Sequence, residues 1–214
     1  MNKIFQKVIS TIIGIVICGI GVGLTMKAAI GVGAWDALSQ SISLITDIKV
    51  GTMSMIFNIM CVFIQLLILK NEFKINHAFQ MPVAILLGNI VNFMFYDVYS
   101  QFIIDSYIVN LVILILSIVI CAMGVAMIMS VDFITFPLES CCMVVAKKIN
   151  KNFSFIRQSV DIISITLAIL ISLIAKNNIT VREGTIIATL IYAPMVQIFM
   201  NIIQTPLRKL HLEK

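Results

Sequence analysis

Apolar residues run through this chain in six long stretches, and polar positions gather between them. A helix needs roughly 20 apolar residues to cross the hydrocarbon core of a bilayer. The pattern predicts spans over Val8–Met26, Thr52–Leu69, Phe79–Phe95, Ile108–Met129, Ser154–Ala175 and Thr185–Ile203. The third is the most interrupted, by Pro82, Asn89 and Asn92. The first is long for the apolar core of a signal peptide and lacks a small-x-small cleavage site, so it is expected to stay as the first helix. Two connections, Lys27–Gly51 and Ser130–Phe153, are too apolar to be simple loops. Gly31-Val32-Gly33 breaks the first, and Ala34–Ile45 then reads as a short amphipathic helix. Thr135-Phe136-Pro137 breaks the second ahead of a helix over Leu138–Ile149, with Pro137 suited to a first helical turn.

The second three spans resemble the first three. At an offset of 103, eight of the fifteen positions in Ile12–Met26 are identical to Ile115–Met129, among them Cys18/Cys121, Gly21/Gly124 and Met26/Met129. The same offset lays Asp36 on Glu139 and Asn58 on Asp161, and an offset of 105 lays Asn92 on Gln197. A repeat of three spans enters the membrane from the opposite side the second time, which is the inverted-repeat plan of many secondary transporters. The expected fold is all-α: one membrane domain over 1–214, six transmembrane helices in two inverted repeats (1–100 and 106–206), and short or broken helices after the first and fourth spans.

Composition agrees. With 60% hydrophobic and 12% charged residues and a mean hydropathy of +1.08, the chain departs from soluble domains, which carry about 25% charge. The net charge of +5 is no nucleic-acid signal, because the basic residues follow topology. With the N-terminus inside, Lys3, Lys7, Lys70, Lys74, Lys147, Lys148, Lys151, Arg157, Arg208, Lys209 and Lys214 fall on the cytoplasmic side, against Lys27, Lys49, Lys176 and Arg182 outside, a split of 11 to 4. The positive-inside rule then puts both termini in the cytoplasm. The five cysteines form no CxxC pair and no ligand set with His77 or His211, so neither a disulfide framework nor a zinc site is expected.

Polar residues inside the spans are the candidates for chemistry. Asp161 lies about 10 Å into its helix at 1.5 Å per residue. An intramembrane acid is costly and by default marks a cavity or proton path; the alternative is a pairing with Arg157, four residues earlier on the same face. Asp36 and Glu139 open the two short helices, where a carboxylate meets unpaired N–H groups and the positive end of the helix dipole. Inverted symmetry would set them at opposite mouths of one pathway, as gates or as recognition groups for a cation. The plainer reading is an N-terminal cap. Trp35 reads as a headgroup-level anchor, with substrate stacking as the alternative. Asn58, Asn92 and Gln197 either line the same cavity or make interhelical hydrogen bonds. Gly19 and Gly23, with Gly14 and Gly21, face Ser117, Cys121 and Gly124 as the small-residue crossing of the first and fourth helices.

Gly21–Met26 followed by Gly31-Val-Gly-Ala-Trp-Asp-Ala-Leu, then Gly51-Thr52, Gly184-Thr185 and Ala193-Pro194, resembles the YczE/YyaS/YitT group of bacterial integral membrane proteins, and the YczE branch most closely. Ala34 stands where that branch usually has proline, although Pro137 keeps it in the second half, and Ala193 replaces the glycine before Pro194. The resemblance covers nearly the whole chain. It implies a multi-pass protein of the bacterial plasma membrane, sometimes described as a permease, and no substrate.

No phosphate-binding GxxxxGK[ST], HExxH or GxSxG occurs, and Gly19-x-Gly21-x-Gly23 lies inside an apolar helix. ATP-driven transport by this chain alone is excluded, and no nucleophile, base or metal constellation points to an enzyme. The sequence therefore reads as a small-solute or ion transporter without cofactor or metal. Its implied partners are the lipid bilayer, the solute, and a second copy or a partner membrane protein. The other reading is a non-transporting accessory module docking through the basic segment Lys147–Arg157.

Overall fold

The computed structural model describes residues 3–131, 133–176 and 179–209, with side chains from 4 to 203 within those ranges. His211 and Lys214 lie outside the described residues, and the side chains of Lys3, Arg208 and Lys209 lie outside the described side chains. Nine α-helices occur among them, α1 (Lys3–Ala28), α2 (Ala34–Thr46), α3 (Val50–Leu69), α4 (Ile75–Ala78), α5 (Gln80–Asn92), α6 (Tyr107–Val131), α7 (Pro137–Lys148), α8 (Phe153–Ile174) and α9 (Glu183–Lys209), and no strand. Six helical segments are long and apolar enough to cross a membrane, α5 running on through a π-helical turn at Phe93–Val98. The chain is a multi-pass membrane protein.

The two short helices form where the sequence places its breaks. Ala29 (φ 54°) and Gly31 (φ +134°) turn the chain out of α1. A β-carbon on Gly31 would also strike the backbone at Gly184-Thr185, where the Gly184 N–H donates to the Ile30 carbonyl at 2.8 Å. Only glycine meets both demands. Asp47 closes α2 in the left-handed conformation, a common helix stop. Pro137 is the first residue of α7, where its missing N–H costs nothing.

α1 and α6 form the centre and run antiparallel. Gly14 approaches Gly124 and Ile128, Gly21 approaches Cys121 and Ser117, and the Thr25 hydroxyl donates to Ser117 Oγ at 2.7 Å. Half of the apolar window of α6 is buried, against 11% of that of α9, which places α6 inside and α9 at the rim. The remaining helices pack in matched fashion: α5 on α1 and α9 on α6, and each short helix on the second span of the other half, α2 on α8 and α7 on α3.

The small-residue stripe of α1 divides its work. Gly14 and Gly21 serve the α6 crossing, as expected, but Gly19 faces Ile90 of α5 and Gly23 faces Met94 in the π-helical turn that follows it. Positions four apart from Gly19 lie on a different face from Gly14 and Gly21, and that face meets α5. Close approach is what small residues provide in either place.

Two polar clamps hold the short helices and their neighbours. Gln65 and Gln80, both essentially sealed, form a closed ring with Ser140: Gln65 Nε2 donates to Gln80 Oε1 (2.9 Å) and to the Pro137 carbonyl (3.2 Å), Gln80 Nε2 to Ser140 Oγ (2.9 Å), and Ser140 Oγ to Gln65 Oε1 (2.8 Å). This network ties the start of α7 to α3 and α5. At the start of α3, Asn92 Oδ1 accepts from the Gly51 N–H at 2.8 Å and Tyr96 Oη accepts from the Val50 N–H at 3.2 Å. These are unpaired donors of a helix start, satisfied from another helix.

Candidate functional site

The first turns of α2 and α7 both end on one cavity of about 360 Å³ at the centre of the fold. Around it stand Cys18, Val22 and Thr25 of α1, Ser54 and Asn58 of α3, Cys121 and Val125 of α6, and the starts of α2, α7 and α8. The face of α9 that carries Thr189, Tyr192, Ala193, Val196, Gln197 and Met200 closes the ring. Of the residues singled out in the sequence, Asp36, Glu139, Asp161, Asn58, Gln197 and Trp35 line this cavity together.

Asp36 and Glu139 therefore do not sit at opposite mouths of a pathway. The two short helices enter from different halves but aim their N-terminal turns at the same space, and the carboxylates feel each other's charge. Nor does Asp36 cap its helix. The N-cap is Gly33, which has no side-chain cap bond, and the Asp36 carboxyl makes no hydrogen bond or ion pair among the described residues. Burial pushes that carboxyl up to about 6; Arg157 pulls it down, and Glu139 and Asp161 push it up further. A carboxylate removed from water with no donor favours its neutral form.

Arg157 was the surprise of position. Counted with the cytoplasmic charges, it instead turns inward from the first turns of α8, its side chain 23% exposed. It is hydrogen-bonded to Asp161, and its Nε lies 3.9 Å from Glu139 Oε1. The i to i+4 pairing anticipated for Asp161 is present, with Glu139 as a third member from α7. A guanidinium can serve two carboxylates because its donors are spread over a planar fork.

Trp35 is not a headgroup anchor. Its ring packs edge-on against Phe57 at 5.8 Å between centroids, beside the cluster of Cys61, Leu138 and Cys142, and its Nε1 is buried without a hydrogen-bond partner. Asn92 stays out of the cavity, because its amide is committed to the start of α3, with Nδ2 donating to Thr52 Oγ1 at 2.8 Å. Gln197 lines the cavity while donating to Asn201 Oδ1 at 3.0 Å.

Sequence reasoning passed over Phe136, Phe153, Tyr192 and Thr189, all on the cavity wall. A signal existed for the last two: they share the face of α9 that Gln197 marks, at helical spacing. Phe136 and Phe153 carried none, since a phenylalanine in an apolar stretch looks the same facing lipid or cavity.

A larger depression of about 680 Å³ lies at the other end of α1 and α9, by Lys27, Gln40, Thr180 and Arg182. It contains none of the candidate residues. Arg182 there donates from Nη1 to the Ala29 carbonyl at 2.5 Å and pairs with Glu183 at 3.9 Å, on side chains about half exposed. No group of three or more His, Cys, Asp or Glu among the described residues is placed to hold a metal ion.

The chain belongs to a family of unknown function, DUF6198, whose match covers residues 5–201. No curated protein and no solved structure matches it.

Proposed function

We propose that this protein is a small-solute or ion transporter of the bacterial cytoplasmic membrane, with two inverted repeats, 1–100 and 106–206, around a shared cavity. One observation carries the reading. Residues that occupy matching places in the two halves, Asp36 with Glu139, Asn58 with Asp161 and Cys18 with Cys121, all face the same cavity. A cavity lined by such pairs sits on the axis relating the halves, which is where a rocking transporter holds its substrate. The antiparallel course of α1 and α6 supports the inverted relation. Both termini are cytoplasmic in this reading, since moving Arg157 into the cavity still leaves ten basic residues inside against four outside. The proposal includes kinship with the YczE branch, on the motif around Trp35 and Asp36.

Reconstituted liposomes test it. Under an imposed proton gradient or membrane potential, the wild type should take up a solute from a panel of amines, vitamins, nucleosides and amino acids, and Asp161→Asn should reduce the rate. Uptake indistinguishable from empty liposomes across the panel, with folded protein in the membrane, would refute transport. A co-purifying membrane partner in that case would favour the accessory-module reading.

A further inference from the structure

Charge inside the cavity does not balance. Three carboxyl groups, Asp36, Glu139 and Asp161, meet one guanidinium, Arg157. Arg157 is held by the two acids that flank it, through the hydrogen bond to Asp161 and the 3.9 Å approach to Glu139. Asp36 is left without a hydrogen bond or ion pair among the described residues, yet it faces the cavity. The positive end of the α2 dipole helps to hold a negative charge at that first turn. With all three carboxyl groups ionised the set is two negative charges in excess of Arg157, and a ligand that brings one positive charge would give Asp36 the partner it lacks.

The walls decide what kind of cation fits. A hard divalent cation such as Ca²⁺ or Mg²⁺ takes about six or more oxygen ligands in close array. Around Asp36 the cavity instead offers Trp35, Phe136, Tyr192, Val22 and Leu87. Aromatic faces attract organic cations, and most strongly when water is excluded. The volume of about 360 Å³ falls at the small end of the roughly 300–1,000 Å³ typical of small-molecule pockets.

The route in points the same way. α8 and α9 both wall the cavity, but their described residues make almost no contact with each other. Their counterparts α3 and α5 pack closely, Gly51 and Gly88 meeting so tightly that a β-carbon on either would strike the carbonyl of the other. The second half is thus loosely packed where the first is shut, and because α8 and α9 are both long and apolar enough to span a bilayer, a gap between them would open to the hydrocarbon.

We propose that the cavity binds a lipophilic organic monocation, its charge set against Asp36 and its apolar body against Trp35, Phe136 and Tyr192, admitted from the bilayer between α8 and α9. The inference takes from the transporter reading only the place of the site; binding itself requires no transport.

Trp35 is the one tryptophan of the chain, so its emission reports on the cavity directly. The probes are phenyltrimethylammonium, its neutral isostere tert-butylbenzene, and benzenesulfonate, titrated into nanodisc-reconstituted protein. The cation should change Trp35 emission saturably, the neutral and anionic probes should not, and Asp36→Asn should weaken the cation at least tenfold. Equal affinity for the cation and its neutral isostere would overturn the proposal, as would an Asp36→Asn variant that binds the cation like the wild type. If that variant does not fold, the three probes on the wild type decide the matter alone. Cation binding without uptake into liposomes would defeat the transporter reading and leave the site standing. Uptake of a neutral or anionic solute that Asp36→Asn leaves intact would defeat the site and leave transport standing.

Discussion

Cys121 Sγ lies 3.7 Å from the carbonyl oxygen of Cys18, and these two residues are 103 apart, the offset at which Ile12–Met26 matches Ile115–Met129. Residues related by the offset of 103 thus meet each other where α1 and α6 cross. Gly21 packs on Cys121, and Gly124, its equivalent, packs on Cys18. The contact is reciprocal, as the proposed two-fold relation between the halves requires.

The crossing leaves no room for side chains. A β-carbon on Gly124 would come 2.6 Å from the Cys18 amide nitrogen and 2.7 Å from the Gly14 carbonyl. Those neighbours are backbone and cannot move aside. Gly124→Val is expected to destabilise by about 1–3 kcal/mol or more through overpacking, and Gly21→Val similarly. Thermal unfolding in detergent measures this; a midpoint within a degree of the wild type would show that the helices cross elsewhere.

Arg157 compensates two carboxylates, so its loss should cost more than the loss of either partner. Removing one member of a buried pair typically costs about 3–5 kcal/mol, and the partial exposure of these side chains places the expected effect below that. Arg157→Gln should lower the unfolding midpoint, and Arg157→Gln with Asp161→Asn should recover part of it. A double variant no more stable than Arg157→Gln would mean that the pair is not coupled.

The pH dependence of stability follows from Asp36, whose carboxyl is raised from 3.8 to about 6 by burial. Between those values the folded protein holds a proton that the unfolded chain releases, so stability falls as pH rises. The contribution is complete below about pH 4 and is lost as pH passes through about 6. Asp36→Asn should flatten this decline and unfold at a higher temperature than the wild type above pH 7. Parallel pH profiles for the two proteins would show that Asp36 is solvated.

Asn92 distinguishes structure from site. Asn92→Ala removes the acceptor for the Gly51 N–H and the donor to Thr52, and losing such a cap costs about 0.5–2 kcal/mol. The variant should unfold earlier, yet bind phenyltrimethylammonium as the wild type does. A tenfold loss of affinity would return Asn92 to the cavity.

Much of this was written in the chain. Six apolar runs announced the spans, and Gly31, Gly33 and Pro137 marked the starts of the short helices, because backbone breaks and hydrocarbon length are local properties. The offset of 103 singled out Asp36 with Glu139 and Asn58 with Asp161, but it set the first pair at opposite mouths of a pathway, whereas the structure brings all four to one cavity. Facing was not legible. Asn92 matched Gln197 in the sequence, but the first caps α3 and the second lines the cavity, since an offset fixes position along a helix and not rotation about it. The Gln65–Gln80–Ser140 network went unseen for a related reason: its members are 15 to 75 residues apart and share no periodicity. Arg157 was hidden by its neighbours Lys147, Lys148 and Lys151, which made an inward guanidinium look like one more surface charge.

Sided labelling of the cavity tests the account most directly. With the five native cysteines replaced by alanine, Thr189→Cys puts a single thiol on the α9 wall of the cavity. A membrane-impermeant thiol reagent is then applied to right-side-out and to inverted vesicles. One cavity shared by two inverted halves should be labelled from both faces, and phenyltrimethylammonium should slow both reactions. Labelling from one face only, or from neither in unfolding-free conditions, would contradict it.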